Sequence, residues 1–115
     1  NSVLWNSLNS AFPRASTLGI TDGANGSWIQ ENDGNIFHQP AYKIYDVMDT
    51  TGCGDAYHGA FLSGFLKGEN LKEIAKFASA AGALNAKKIG GRGNLCDENE
   101  IKDFLKGAEE VSFKP

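Results

Sequence analysis

The 115-residue chain is 41% hydrophobic and 22% charged, as expected of one ordinary globular domain with a core of its own. A net charge of −3 and a pI near 5.3 argue against a nucleic-acid surface, and no apolar run approaches the roughly 20 residues that a membrane helix needs. Two cysteines, Cys53 and Cys96, make no disulfide framework, and neither lies in a Cys-x-x-Cys pair, so a reduced, cytoplasmic setting is expected. The two histidines, His38 and His58, sit at no metal-ligand spacing and read as surface or partly packed residues. Asn1 to Trp5 show no basic stretch ahead of an apolar one, so no signal peptide is expected.

In chain order, Ser2 to Ala11 reads as a short helix, with Val3, Leu4, Leu8 and Phe12 roughly on one face and Pro13 closing it. Ser16 to Thr21 reads as a strand that enters the turns Asp22-Gly23 and Asn25-Gly26. Ser27 to Glu31 is a second strand, Asn32 to Asn35 a hairpin turn, and Ile36 to Gln39 a third strand. Tyr42 to Val47 reads as a further strand. Beyond Asp55 the apolar period changes from two to 3.6: Tyr57, Phe61 and Phe65 form one row, Leu62 and Leu66 another. Such a helix should be well buried, with Gly59 and Gly64 marking close packing and Gly68 the end. Asn70 with Glu73 predicts a capping box for a longer helix whose inner face is Leu71, Ile74, Ala75, Ala78, Ala81 and Gly82. Asp97 with Glu100 predicts a second capping box before Ile101, Phe104 and Leu105. Strands first and helices second suggest a layered α/β piece with an incomplete sheet.

The most informative stretch is Asp49-Thr50-Thr51-Gly52-Cys53-Gly54-Asp55, where strand gives way to helix. Its glycines allow a sharp turn and a close approach of the backbone to a ligand. The amides of residues 52 to 55 can then converge on an anion at a helix start. With Asp55 alongside, such a cradle suits transfer of a phosphoryl group to a hydroxyl. The spacing fits neither the dinucleotide fingerprint, which needs a glycine where Tyr57 stands, nor a P-loop, since no Gly-Lys-Ser/Thr triplet occurs. A plain strand-to-helix turn, with Asp55 as a first-turn acid favoured by the helix dipole, is the competing reading of the same residues.

Asp49 to Tyr57 resembles the second signature of the ribokinase-like family of sugar and nucleoside kinases, often called the pfkB family, whose usual form is Asp-Thr-Thr-Gly-Ala-Gly-Asp-Ala-Phe. Gly59-Ala60-Phe61 matches the Gly-Ala-Phe stretch that follows it. Thr21-Asp22-Gly23-Ala24-Asn25-Gly26 resembles the family's upstream nucleotide loop, Thr-Leu-Gly-x-x-Gly, with Asp22 in place of Leu. Phe77 to Ala83 resembles its small-residue helix, and Gly90-Gly91-Arg92-Gly93 the glycine loop after it. The four segments occur in the family's order and span about Leu18 to Leu105. The resemblance implies a doubly wound, three-layer α/β/α fold, of which residues 1–115 are the C-terminal, ATP-binding and catalytic part. The sugar-binding region, the lid strands and the Asn-x-x-x-Glu-type motif of the N-terminal half are missing from it.

The resemblance also implies roles. Asp55 becomes the general base that takes the acceptor hydroxyl's proton, and Gly52, Cys53 and Gly54 supply an anion hole through their amides. Cys53 replaces the usual Ala, which leaves an amide-built hole intact and adds a thiol whose helix-start position can lower its pKa. Thr21, Gly23 and Gly26 would contact ATP phosphates and ribose; a hairpin turn needing positive φ is their alternative. Ala78, Ser79 and Gly82 would leave room for adenine, or simply let an alanine-rich helix pack closely. Asp49 and Thr51, with the loop near Gly90 and Gly91, resemble a monovalent-cation site, and hard oxygen ligands suit K+. Arg92 is a phosphate contact or a surface ion pair. Mg2+ would come largely with the nucleotide.

The resulting expectation is a carbohydrate kinase acting on ATP and a sugar, with no nucleic-acid or membrane partner. An exposed sheet edge would favour self-association. Two alternatives stand beside it: a nucleotide-binding or structural piece without turnover, and a kinase of the same family whose acceptor is a nucleoside or a vitamin precursor.

Overall fold

A computed structural model describes residues 2–44, 53–86 and 97–112. Helix α1 spans Ser2–Ala11 and ends ahead of Pro13. Its one buried residue is Trp5, while Val3, Leu4 and Phe12 of the expected inner face are exposed. Trp5 lies between those positions on the helix, and its large ring is what docks.

Three short strands follow: β1 (Leu18–Thr21), β2 (Ser27–Gln30) and β3 (Ile36–Gln39). They form an antiparallel sheet in the order β1-β2-β3, with Thr21 opposite Ser27 and Gln30 opposite Ile36. This is the part of a larger α/β sheet that the described residues contain. The β2–β3 turn is set by local chemistry. Gly34 takes φ +90°, and the Asp33 carboxylate accepts from the Asn35 amide and from Asn35 Nδ2, each at 2.9 Å.

The expected Tyr42–Val47 strand is seen only in its first residues, because 45–52 lie outside the described set. Within it, Tyr42 forms an isolated antiparallel bridge with Glu110. The Lys43 amide donates to the Glu109 carbonyl, and the Val111 amide to the Ala41 carbonyl, both at 2.7 Å. The chain's last described segment therefore clamps the approach to the glycine-rich loop.

Helix α2 (Cys53–Leu66) ends as expected at Gly68, φ +75°. The Gly68 amide donates to the Phe65 carbonyl and the Glu69 amide to the Gly64 carbonyl, both at 3.1 Å, which makes a Schellman cap. The expectation of a well-buried helix is corrected: Leu62, Phe65 and Leu66 are 57%, 44% and 76% exposed, and only Ala56 and Gly64 are buried. Ala56, Ala60 and Gly64 recur every fourth residue, and this small-residue face is the one that meets the next helix. The larger side chains then point away from it. Gly64 is needed there, since a Cβ would lie 2.9 Å from Ile74 Cγ1. Gly59 is not, because nothing lies within 4 Å of its Cβ position, so close packing holds for one of the two expected glycines.

Helix α3 (Leu71–Asn85) starts at Asn70, whose side chain accepts from the Lys72 amide at 2.9 Å rather than from that of Glu73. Its buried residues are Ile74, Ala75, Ala78, Ala80, Ala81 and Asn85. Leu71 and Gly82 are only half-buried, and Ala80 and Asn85 were not on the expected face. The stripe is wider than one face because α3 packs against α2, the sheet and helix α4 (Glu98–Lys106) together. At α4 the predicted capping box is present: the Asp97 carboxylate accepts from the Glu100 amide at 2.8 Å, and Glu100 Oε1 accepts from the Asp97 amide at 3.3 Å. Tyr42, Ala80, Ala81 and Ile101 form the core, with Phe104 edge-on to Tyr42 at 6.1 Å. Among the described residues no helix is long and apolar enough to cross a membrane.

Candidate functional site

A cavity of about 370 Å³ opens where three segments meet: the turn after β1, the first turn of α2, and the C-terminal half of α3. Thr21, Gly23 and Gly26 line it from the first, Cys53 and Gly54 from the second, Ser79 and Gly82 from the third. Seven of the expected nucleotide and anion-hole residues are thus brought to one space from positions 21 to 82. Asp55 is exposed in the first turn of α2 and is not among the lining residues. Ala78 is fully buried, so of the three residues expected to leave room for adenine only Ser79 and Gly82 line the cavity. Gly52, Asp49, Thr51, Arg92 and the loop at Gly90 and Gly91 lie outside the described residues.

The turn between β1 and β2 is held from several directions. The Asp22 amide donates to the Gly26 carbonyl at 2.9 Å and the Gly26 amide to the Gly23 carbonyl at 3.1 Å. Asn25 Nδ2 donates to the Asp22 carboxylate at 3.0 Å, and His38 Nε2 reaches the Asn25 carbonyl at 2.7 Å from β3. Gly26 has φ +90° and ψ −150°, a region that side chains other than glycine's scarcely enter. A Cβ there would collide with the Gln39 carbonyl oxygen and sit 2.8 Å from His38 Nε2. Asp22, the departure from the usual Leu, becomes the acid that closes this turn.

At the helix start, the amides of Cys53, Gly54 and Asp55 belong to the first turn of α2 and have no carbonyl partner within the helix. They gather the positive end of the helix dipole. Gly82 makes the approach of α3 possible: a Cβ at that position would lie 3.2 Å from the Cys53 carbonyl oxygen and 3.7 Å from Tyr57 Cβ. The small-residue helix thus lets a neighbouring backbone come close beside a cavity wall, as the close-packing reading of that stretch expects.

The remaining lining residues include Ser27, Tyr42, Tyr57, Ala83 and Ala86, none of them singled out from the sequence as site residues. Ser79, Gly82, Ala83 and Ala86 follow helical spacing, so extending the small-residue face by one turn finds the last two. Tyr57 and Ser27 carry no local signal. They meet through a hydrogen bond, Tyr57 Oη donating to Ser27 Oγ at 2.9 Å across 30 positions. Burial raises the Tyr57 pKa, outweighing the lowering effect of the Ser27 bond. Tyr42 is likewise raised, first by burial and then by Glu110 and Glu73, against the lowering effect of its Gln39 contact.

The cavity is chemically suited to an anionic ligand with a flat apolar part. Two residues of a helix start, Cys53 and Gly54, share its lining with alanine and glycine from the turn after β1 and from α3. Among the described residues there is no cluster of three or more His, Cys, Asp or Glu that could hold a metal ion.

Comparison with known proteins gives a consistent picture. The family model of the pfkB family carbohydrate kinases matches residues 6–98. The 5-dehydro-2-deoxygluconokinase of Listeria innocua is 34% identical over 96 residues, which are 84% of this chain and 29% of that kinase. Among solved structures, the Burkholderia thailandensis nucleoside kinase superposes with a TM-score of 0.73 at 33% identity, over 83% of this chain and 31% of that one. A Cryptococcus neoformans ribokinase solved in complex with ADP superposes with a TM-score of 0.77 at 26% identity, over 89% and 34%. The chain therefore spans about a third of the length of the proteins it matches.

Proposed function

This chain belongs to the pfkB family of carbohydrate kinases, and from that premise we propose that it is the C-terminal, ATP-binding and catalytic part of an enzyme that phosphorylates a sugar hydroxyl. The observation that carries the reading is the convergence of Thr21, Gly23 and Gly26 with Cys53, Gly54, Ser79 and Gly82 on one cavity. A nucleotide fits this lining: amides of the helix start suit the phosphates, and the small residues glycine and alanine leave room for a base.

In this reading the Cys53–Asp55 amides, joined by that of Gly52, stabilise charge on the transferring phosphoryl group. Asp55, exposed beside them, takes the proton of the acceptor hydroxyl. Its exposure leaves the carboxylate open to a substrate. Magnesium, carried by the nucleotide, neutralises charge on the phosphates when bound. Asp49 and Thr51 are the proposed ligands of a monovalent cation.

The Listeria relative's name supports a carbohydrate acceptor, and the nucleoside kinase at 33% identity keeps a nucleoside as the alternative. The open apolar side of α2 (Leu62, Phe65, Leu66) supports a second reading, in which the chain alone binds nucleotide without turnover.

Calorimetric titration with MgADP tests the site itself, and loss of binding in Gly82→Val would tie it to this cavity. In the active enzyme, Asp55→Asn is expected to lower kcat by roughly 10²–10⁴ with little change in nucleotide affinity. Near-normal turnover in that variant removes Asp55 from the mechanism.

A further inference from the structure

The walls of the cavity built by Asp22–Gly26 and by Cys53–Gly54 come from segments about thirty positions apart, and their separation must be held by something. The turn Asp22–Gly26 is braced from β3 and leads directly into Ser27. The first turn of α2 is braced from α3 at Gly82. Between the two braced walls stands Tyr57, one turn into α2, whose hydroxyl donates to Ser27 Oγ at 2.9 Å. Ser27 is only 2% exposed, so its hydroxyl has little water to turn to if that partner is removed. Tyr57, like Thr21, lines the cavity and also a second, apolar groove formed by β1, β2 and α2. Tyr57 thus stands between the two spaces together with Thr21, and its ring lies alongside Phe61 at 6.1 Å with planes 23° apart.

We infer that Tyr57 is a positioning residue for the nucleotide: its hydrogen bond to Ser27 sets the gap between the Asp22–Gly26 turn and the Cys53–Gly54 amides, so that both walls reach one phosphate chain. The inference rests on the nucleotide reading of the cavity. It differs from a purely structural role in one respect. A phosphate chain bridges the two walls, whereas a base and ribose without phosphates lean chiefly on α3. Loosening the Tyr57–Ser27 link should weaken ligands in proportion to their phosphates.

The test is titration of wild type, Tyr57→Phe, Ser27→Ala and the double variant with MgADP and with adenosine. Thermal melts without ligand confirm that each variant is folded. Tyr57→Phe and Ser27→Ala are each expected to bind MgADP about two- to tenfold more weakly, the range of one net hydrogen bond. Adenosine affinity should change by less than about twofold in the same variants. The double variant should be no weaker than the weaker single one, because both substitutions break the same link. Ser27→Thr, which keeps the hydroxyl, should recover MgADP binding. Unchanged MgADP affinity in Tyr57→Phe, equal loss for MgADP and adenosine, or additive effects in the double variant would each overturn the positioning role while leaving the nucleotide site standing. A wild type that binds neither ligand would remove the nucleotide reading and this inference with it.

Discussion

Replacing Gly26 by alanine should be among the most damaging single-methyl changes available in this chain. Two separate penalties meet there. The first is conformational: φ +90° with ψ −150° is a region essentially restricted to glycine, and forcing a side chain into it costs about 1–3 kcal/mol. The second is steric. The new Cβ would overlap the Gln39 carbonyl oxygen, lie 2.8 Å from His38 Nε2 and sit 3.1 Å from Pro40 Cα, and overpacking of that kind costs about 1–3 kcal/mol. The sum, about 2–6 kcal/mol, is a large part of the roughly 5–15 kcal/mol that holds a domain folded. Gly34 provides the control. It shares φ +90°, yet nothing lies within 4 Å of its Cβ position, so Gly34→Ala should show the conformational penalty alone. Urea unfolding of both variants, followed by circular dichroism, measures the difference directly. Under conditions where Gly26→Ala remains folded, its MgADP affinity should also fall, because the displaced turn is a wall of the cavity. If Gly26→Ala proves no more costly than Gly34→Ala, the proposed crowding between this turn and β3 is wrong.

The helix glycines make a second pair. Gly59→Ala, with open space around its Cβ position, should raise stability by about 0.5–1 kcal/mol through helix propensity, whereas Gly82→Ala should gain little and weaken MgADP binding, since its Cβ would press on the Cys53 carbonyl at 3.2 Å. Melting temperatures and titrations of the two variants check this, and equal stabilisation with unaltered binding would count against it. Asp97→Ala should destabilise by about 0.5–2 kcal/mol in chemical unfolding by removing the carboxylate that accepts from the Glu100 amide, and Glu100→Ala by less, because it removes only the longer bond to the Asp97 amide. For pH, burial raises the Tyr57 and Tyr42 pKa values above 10, so the folded state keeps protons that the unfolded chain releases. Stability should be flat in these groups up to about pH 10 and fall as pH rises further, with a shallower fall in Tyr57→Phe. A fall of the same steepness in that variant would show that Tyr57 contributes none of it.

Much of this chain is legible in one dimension because the responsible forces act over a few residues. The Asp97–Glu100 cap, the Asp33–Gly34–Asn35 turn and the Gly68 helix end each depend on backbone and side-chain groups no more than about five positions apart. The turn Asp22–Gly26 was readable for the same reason, since Gly23 and Gly26 take the positive φ that a short local run demands. Asn70 marks the limit of such reading: the cap residue is right, but its side chain chose the second amide over the third.

What sequence alone determined, then, was the order of the described elements and their turns and caps, because backbone preferences and hydrogen bonds within a turn need no distant partner. Tertiary structure alone decided which way those elements face. It buried Trp5 in place of Val3 and Leu4, turned the small side of α2 inward and left Leu62 and Phe65 exposed, and gave Gly64 a packing role that Gly59 lacks. It also joined Tyr57 to Ser27, and Tyr42 to Glu110, across 30 and more positions. A helical period says that a side must be covered; only the shape and position of the neighbour say which side, and that neighbour is remote in the chain.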